Sequence, residues 1–222
     1  MVTRDIIVFG VGQIAELADF YFKHDSAHAV QAFVVDGAFK KEDSFLGRPV
    51  VALEDAAREF PPGEFGAFVA VSYAKLNALR SEKAAALQGM GYDLASYTSS
   101  RASIFPGTEP GPNAFILEDN TIQPFVRIGA NVTLWSGNHI GHHSVIEDDV
   151  FLASQIVVSG NCHIKRRTFI GVNATLRDGI TIGERCVIGA GACILADCAD
   201  ESVYPATRTE PSAVKSSRLR NI

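Results

Sequence analysis

From residue 116 to residue 194 an aliphatic side chain returns at every sixth position. The series runs Ile116, Ile122, Ile128, Leu134, Ile140, Ile146, Leu152, Val158, Ile164, Ile170, Leu176, Ile182, Ile188 and Ile194 without a slip. Four residues after most of these stands a small or β-branched residue, among them Val132, Ser144, Val150, Cys162, Ala174 and Cys186. Glycine often follows the aliphatic residue directly, as at Gly129, Gly141, Gly171, Gly183 and Gly189. A period of six fits neither the 3.6 of a helix nor the unbroken alternation of a long strand. It fits short strands broken by regular corners, with the aliphatic residue turned inward and the small residue at a tight corner. Three flats of about six residues close one triangular coil, and stacked coils bury a continuous core joined by parallel backbone ladders.

This pattern resembles the hexapeptide-repeat acyltransferases, and the resemblance implies a left-handed parallel β-helix over residues 105–198. The left hand comes from the resemblance alone, because parallel crossovers otherwise favour the right hand. The fold does not fix the chemistry, since it also carries carbonic anhydrases and nucleotidyltransferase tails.

The N-terminal half has a different grammar. "RDIIVFGVGQIAELADFYF" reads as strand, glycine turn and helix. "AVQAFVVDG" reads as a second strand, "VALEDAAREF" as a helix and "GAFVAVSY" as a third strand. "LNALRSEKAAALQGMG" then reads as a helix and "DLASYTS" as a short strand. The alternation predicts a small Rossmann-like parallel α/β domain over residues 1–104. Gly10 and Gly12 could seat a phosphate at the helix N-terminus, with Asp36 near a ribose or sugar hydroxyl; a turn that only packs helix on strand is the plainer alternative. Residues 105–113, "FPGTEPGPN", read as the junction, and residues 199–222 as a polar tail that has lost the period.

Composition narrows the partners. A net charge of −5 argues against nucleic acid, which calls for a basic field. The apolar run at the N-terminus is too short for a signal peptide or a membrane span, which suggests a cytoplasmic chain with reduced thiols. Cys162, Cys186 and Cys198 fall in the core pattern and read as buried structural thiols.

The most reactive stretch is "WSGNHIGHHSVIEDD", residues 135–149. None of its histidines falls on a core position, so His139, His142 and His143 lie on an outer face, a corner or an interface. Zinc would need ligands converging from neighbouring coils, yet Pro124 and Gly160 stand one coil either side of His142. A proton-transfer role, a zinc hydratase and a solvated cluster are the three readings the residues leave. Asn138 and His139 are candidates for a sugar pocket or for local corner contacts. Trp135 points outward toward either an interface or a substrate ring.

The order of a small α/β domain followed by a short hexapeptide β-helix is similar to the bacterial nucleotide-sugar acetyltransferases of the sialic-acid O-acetyltransferase and bacillosamine N-acetyltransferase type. "IGHHSVI" matches their catalytic-histidine stretch, with Ile140 as the core residue, His142 as the histidine and His143 in place of the following carboxylate. Asp148, Asp149 or Glu118 could supply the missing acid. "GVGQIA" is one residue shorter than the family's nucleotide turn and lacks its histidine, and "VYPATR" only echoes its C-terminal segment. The resemblance implies a homotrimer with active sites between subunits and no metal. Acetyl-CoA would lie along Ala153, Gly160, Gly171, Gly189 and Ala190, with Lys165, Arg166 and Arg167 near its phosphates. The N-terminal domain would hold a nucleotide-linked sugar.

Overall fold

A computed structural model describes residues 4–206 and 209–218 of the chain. The N-terminal part is an open sheet flanked by helices. Its elements are β1 (Ile6–Phe9), α1 (Gln13–Asp25), β2 (Val30–Val35), β3 (Ser44–Phe45), β4 (Arg48–Ala52), α2 (Leu53–Glu59), β5 (Gly66–Val69) and α3 (Ala78–Gly89). The strand order is β3-β4-β2-β1-β5, parallel except where β3 meets β4. Strand β4 is absent from the sequence reading, which takes Val51 into the following helix and assigns Val50 to no element. Both are strand residues buried in the sheet. Alternation along β1 divides the interior, since successive strand residues face opposite sides. Ile6 and Val8 pack with Ala15, Ala18 and Phe22 of α1. Ile7 and Phe9 pack with Ala56 of α2 and with Ala84 and Leu87 of α3.

The rest of the described chain is a parallel β-helix of two-residue rungs. Flat one stacks seven rungs from Tyr97–Thr98 to Val203–Tyr204, flat two stacks six from Ser103–Ile104 to Cys193–Ile194, and flat three stacks four from Arg127–Ile128 to Thr181–Ile182. Rungs pair with the residue one coil on, as Thr133 with Phe151 and His139 with Val157. Every aliphatic residue of the hexad series is buried, and together they form one core cluster. Each such side chain contributes about 1.5–3 kcal/mol relative to exposure.

The corner has a sharper definition than the sequence suggested. Three residues after each inward aliphatic, the backbone turns left-handed, at every sixth position from Asn113 to Gly191. The following residue, such as Val132, Ser144 or Cys162, then points back into the core. Asn, Asp and Gly tolerate that conformation best, and Asn113, Asp119, Asn131, Asp149, Asn161 and Asn173 occupy it here. Glycines directly after the aliphatic residue answer a different demand. A methyl group on Gly141 would lie 2.5 Å from the Gly160 nitrogen and 2.5 Å from the Ser159 carbonyl carbon, inside the backbone of the next coil.

The β-helix begins and ends outside the expected limits of 105 and 198. Tyr97–Thr98 pairs with Phe115–Ile116, and Ser103–Ile104 with Thr121–Ile122. The Pro-rich segment 105–113 is the third side of this first coil, held where Gly111 N–H donates to Ile128 O at 3.0 Å. It forms no strand because Pro106, Pro110 and Pro112 have no N–H to donate. At the other end, Val203–Tyr204 pairs with Val187–Ile188, a return two residues shorter than earlier coils. The "VYPATR" echo runs past Ala206 into residues 207 and 208, outside the described residues.

The two parts share one interior. Tyr97, Phe115 and Leu117 of flat one lie in the same cluster as Phe22, Phe33 and Phe68 of the sheet. Arg80 of α3 is 1% exposed and donates to the carbonyls of Val69 and Asn113, tying the helix to the sheet and to the first corner. Burial pulls its guanidinium down to about 9, with Asp149 opposing.

Candidate active site

His142 sits at the corner between flats two and three, two places past Ile140. Its backbone N–H donates to Gln123 Oε1 at 2.9 Å, which anchors the corner from one coil earlier. The ring of His143 meets it. The two Nδ1 atoms are 3.1 Å apart and the rings are near-perpendicular at 85°. Adjacent histidines in extended backbone would point to opposite sides, but His143 is the left-handed corner residue (φ 58°), which swings its ring beside His142. Its other contact is Phe125, one coil earlier, with ring centroids 4.6 Å apart. One Nδ1 must carry a proton and the other accept it. If His142 donates, its Nε2 keeps a free lone pair.

That Nε2 edge lies over Gly160. A methyl group on Gly160 would sit 2.7 Å from His142 Cε1, 2.8 Å from Nε2 and 2.9 Å from Asp178 Oδ1. Positions 142, 160 and 178 share one phase on three successive coils, so the missing side chain at 160 lets imidazole and carboxylate face each other. Asp178 was not singled out in the sequence. The acids that were singled out serve other atoms. Asp148 Oδ1 accepts from Ala130 N–H at 2.7 Å. Asp149 is buried and accepts from Asn131 at 3.0 Å and Ser81 at 3.2 Å. Glu118 accepts from Tyr21 at 2.8 Å and Ser136 at 2.6 Å, and these hydrogen bonds help hold its carboxyl below the ordinary range.

Asn138 is not a pocket residue. It is 1% exposed, its Nδ2 donates to Trp135 O at 2.5 Å, and its Oδ1 accepts from Ile156 N–H at 2.8 Å. With Asn120, whose Oδ1 accepts from the Asn138 N–H at 3.2 Å, it forms an amide ladder inside a corner, the arrangement that satisfies buried backbone groups there. His139 is partly exposed on the outer face of flat two between Thr121 and Val157. Among the described residues no group of three or more His, Cys, Asp or Glu is arranged to hold a metal ion.

An aromatic groove of about 330 Å³ lies at a different edge, between flats one and two. Trp135, Phe151 and Phe169 line it on the β-helix side. Phe151 and Phe169 stack at 5.5 Å and 14°. Tyr73, from the segment joining β5 to α3, packs 4.9 Å from both rings. That segment turns left-handed at Lys75, Leu76 and Asn77 in succession, and Asn77 Nδ2 pins it by donating to Asp149 O at 2.7 Å. Of the small residues expected along a coenzyme, Ala153, Gly171 and Ala190 line this groove. Gly189 is not among the residues that line it; a methyl there would lie 2.5 Å from the Ala206 nitrogen, so its smallness serves coil stacking. The basic run is partly committed. Lys165 lies 3.6 Å from Asp200, while Arg166 and Arg167 lie 3.6 and 3.9 Å from Asp149.

The third element is the C-terminal edge of the sheet. Gly10 has φ 126° and would press a methyl to 2.6 Å from Ala70 O, so only glycine fits. Gly12 is the N-cap of α1, without a side-chain cap and with open space beside it. Asp36 directly follows β2, and its Oδ1 accepts from Lys83 Nζ at 2.8 Å, a partner the sequence did not disclose. Beside the turn lies a cavity of about 220 Å³ lined by Val11, Val35, Phe39 and Phe45 among others, with Phe39 exposed.

Comparison with known proteins agrees with this architecture. Residues 161–196 match the model "Bacterial transferase hexapeptide (six repeats)". A curated relative, the UDP-3-O-acylglucosamine N-acyltransferase of Polynucleobacter asymbioticus, is 41% identical over 86 residues. That match covers 39% of this chain but only 21% of the relative's length. Among solved structures, the acetyltransferase domain of PglB from Neisseria gonorrhoeae FA1090 is 21% identical, with a TM-score of 0.76 over 90% of this chain and 96% of that one. WeeI from Acinetobacter baumannii AYE is 20% identical, with a TM-score of 0.72 over 90% and 96%. PerB from Caulobacter crescentus, in complex with CoA and GDP-perosamine, is 21% identical, with a TM-score of 0.64 over 91% and 94%. Residues 161–196 thus match the bacterial transferase hexapeptide repeats, and the chain as a whole has the fold of these acetyltransferase structures.

Proposed function

We propose that this protein transfers acetyl from acetyl-CoA to a nucleotide-linked amino sugar by direct attack on the thioester, with His142 as general base. The observation that carries the reading is the His142 corner: an imidazole whose Nδ1 is held by His143 and whose Nε2 edge opens over a residue without a side chain. Proton removal by such a group contributes about 10²–10⁴-fold. The developing oxyanion needs a donor. The Gly160 N–H stands beside this edge and donates to no protein acceptor among the described residues.

The aromatic groove with Ala153, Gly171 and Ala190 suits a pantetheine arm. It lies on a different edge of the prism from His142, so a thioester in that groove meets an imidazole of a second copy. This supports a homotrimer of left-handed β-helices with its sites at the seams. The Gly10–Gly12 turn, Asp36 with Lys83, and the cavity beside Phe39 suit a nucleotide at the edge of a Rossmann-like sheet. His139, on the flat that leads to the His142 corner, suits a lining role along the sugar's approach. An acetyl-CoA donor fits a cytoplasmic enzyme, and no step calls for a metal. No helix among the described residues is long and apolar enough to cross a membrane. The relatives bring support by name: PerB was solved with CoA and GDP-perosamine bound.

The test is incubation with acetyl-CoA and a panel of nucleotide-linked amino sugars, read by product mass and thiol release. A product one acetyl group heavier supports the reading; no product from any member of the panel removes it.

A further inference from the structure

We infer that Asp178 receives the acceptor's ammonium group beside His142, and that the acceptor is therefore an amine rather than a hydroxyl. The inference rests on the acyl-transfer reading above and narrows it. Asp178 lies two coils beyond His142 at the same phase, and Gly160 between them leaves both groups facing one small space. The carboxylate is exposed and takes part in no hydrogen bond or ion pair among the described residues. Acids on the coils nearest it are committed: Glu147 to His163 at 2.6 Å and to the Arg166 N–H at 3.0 Å, Asp197 to the Thr181 N–H at 2.8 Å, and Asp200 to the Glu184 N–H at 2.8 Å. Asp178 is thus an unspent anion against the edge of the imidazole that His143 leaves free.

An aliphatic amine is largely protonated near neutral pH and cannot attack in that form. A carboxylate at this point draws the ammonium to the imidazole. The ammonium gives one proton to His142 Nε2, which passes it to solvent. The freed lone pair attacks the thioester carbonyl carbon, and the nitrogen's second proton moves to Nε2. The C–S bond then breaks, and the departing thiolate takes that proton as CoA thiol. One amide forms, one thioester is consumed and one proton is released overall. A hydroxyl acceptor would gain nothing from Asp178, because a fixed negative charge opposes the alkoxide character its oxygen must develop.

The test is Asp178→Asn, an isosteric change at an exposed position, with Asp178→Glu as the charge-retaining control. The KM for a nucleotide-linked amino sugar should rise about ten- to a hundredfold in the Asn variant, the worth of one hydrogen bond to a charged group. The kcat should stay within a few-fold, the melting temperature should not move, and the Glu variant should recover most of the KM. Inhibition by the matching hydroxy sugar, which carries no ammonium, should be unaffected. An unchanged KM for the amine, equal weakening of amine and hydroxyl ligands, or preferred acetylation of the hydroxy sugar by the unmodified protein would each overturn the inference while leaving acyl transfer standing. Absence of acetylation of any acceptor by the unmodified protein would remove both.

Discussion

Gly160→Ala is the sharpest perturbation of the site. The added methyl would sit 2.7 Å from His142 Cε1 and 2.9 Å from Asp178 Oδ1. Ordinary carbon contacts lie at about 3.5–4.0 Å, so the imidazole must retreat by about 1 Å. The backbone is not the obstacle, since Gly160 is not among the left-handed residues. Both displaced groups are ends of exposed side chains, so the fold should lose no more than about 0.5 kcal/mol, the usual range for surface changes. Catalysis should suffer far more, because a misplacement of about 1 Å at a reacting group costs on the order of 10²-fold. Thiol release from acetyl-CoA at saturating acceptor, run beside a thermal melt, separates the two effects. The expected result is a fall in kcat of about a hundredfold at an unchanged melting temperature. Gly141→Ala is the matched control, because its methyl would strike backbone 2.5 Å away and should lower the melting temperature instead. A Gly160→Ala protein with full turnover and full stability would refute the placement of the reacting groups over residue 160.

Removing the ring of His143 by substitution with alanine leaves His142 Nδ1 without its partner at 3.1 Å. Turnover should fall about 10–100-fold, as with other groups that orient a functional imidazole, and His143→Glu should restore most of it. Asp25 accepts from Tyr97 OH at 2.6 Å, the Ser100 N–H at 2.9 Å and Ser99 Oγ at 3.2 Å. Hydrogen bonds from Ser100 and Tyr97 hold its carboxyl down at about 2. A folded value below the unfolded one of about 3.9 means the stabilisation is present above about pH 4 and is lost as pH falls through 2. Thermal melts of Asp25→Asn should therefore lie below the unmodified protein at pH 7 and converge with it toward pH 2; a gap independent of pH would refute that assignment.

The β-helix was legible because its core writes itself into the sequence with no intermediate step: one inward side chain per flat, one flat per six residues. The left-handed corner was partly written, in the Asn, Asp and Gly three places after most of the aliphatic residues, with Phe125, His143, Gln155, Arg167 and Arg185 as exceptions. The first coil was hidden because Thr98 stands where Ile116 stands one coil later, breaking the aliphatic series, and prolines remove the strand from its third side. The last was hidden by a return two residues short. Phase alone put His142 outside the core; its reading as a base came from the resemblance. Asp178 was not legible, because its nearness depends on an absent side chain at Gly160, although the spacing of eighteen between 142, 160 and 178 contains the answer. Asn138 misled because an amide that satisfies corner backbone looks, in sequence, like one that awaits a ligand. Asp36 carried no sign of Lys83, a partner 47 positions away.

The most direct measurement is kcat for thiol release by His142→Asn with acetyl-CoA and a saturating nucleotide-linked amino sugar. The fold places this imidazole outside the core, so the variant should melt with the unmodified protein and lose about 10²–10⁴-fold in kcat. Near-full turnover in a folded His142→Asn protein would contradict the account at its centre.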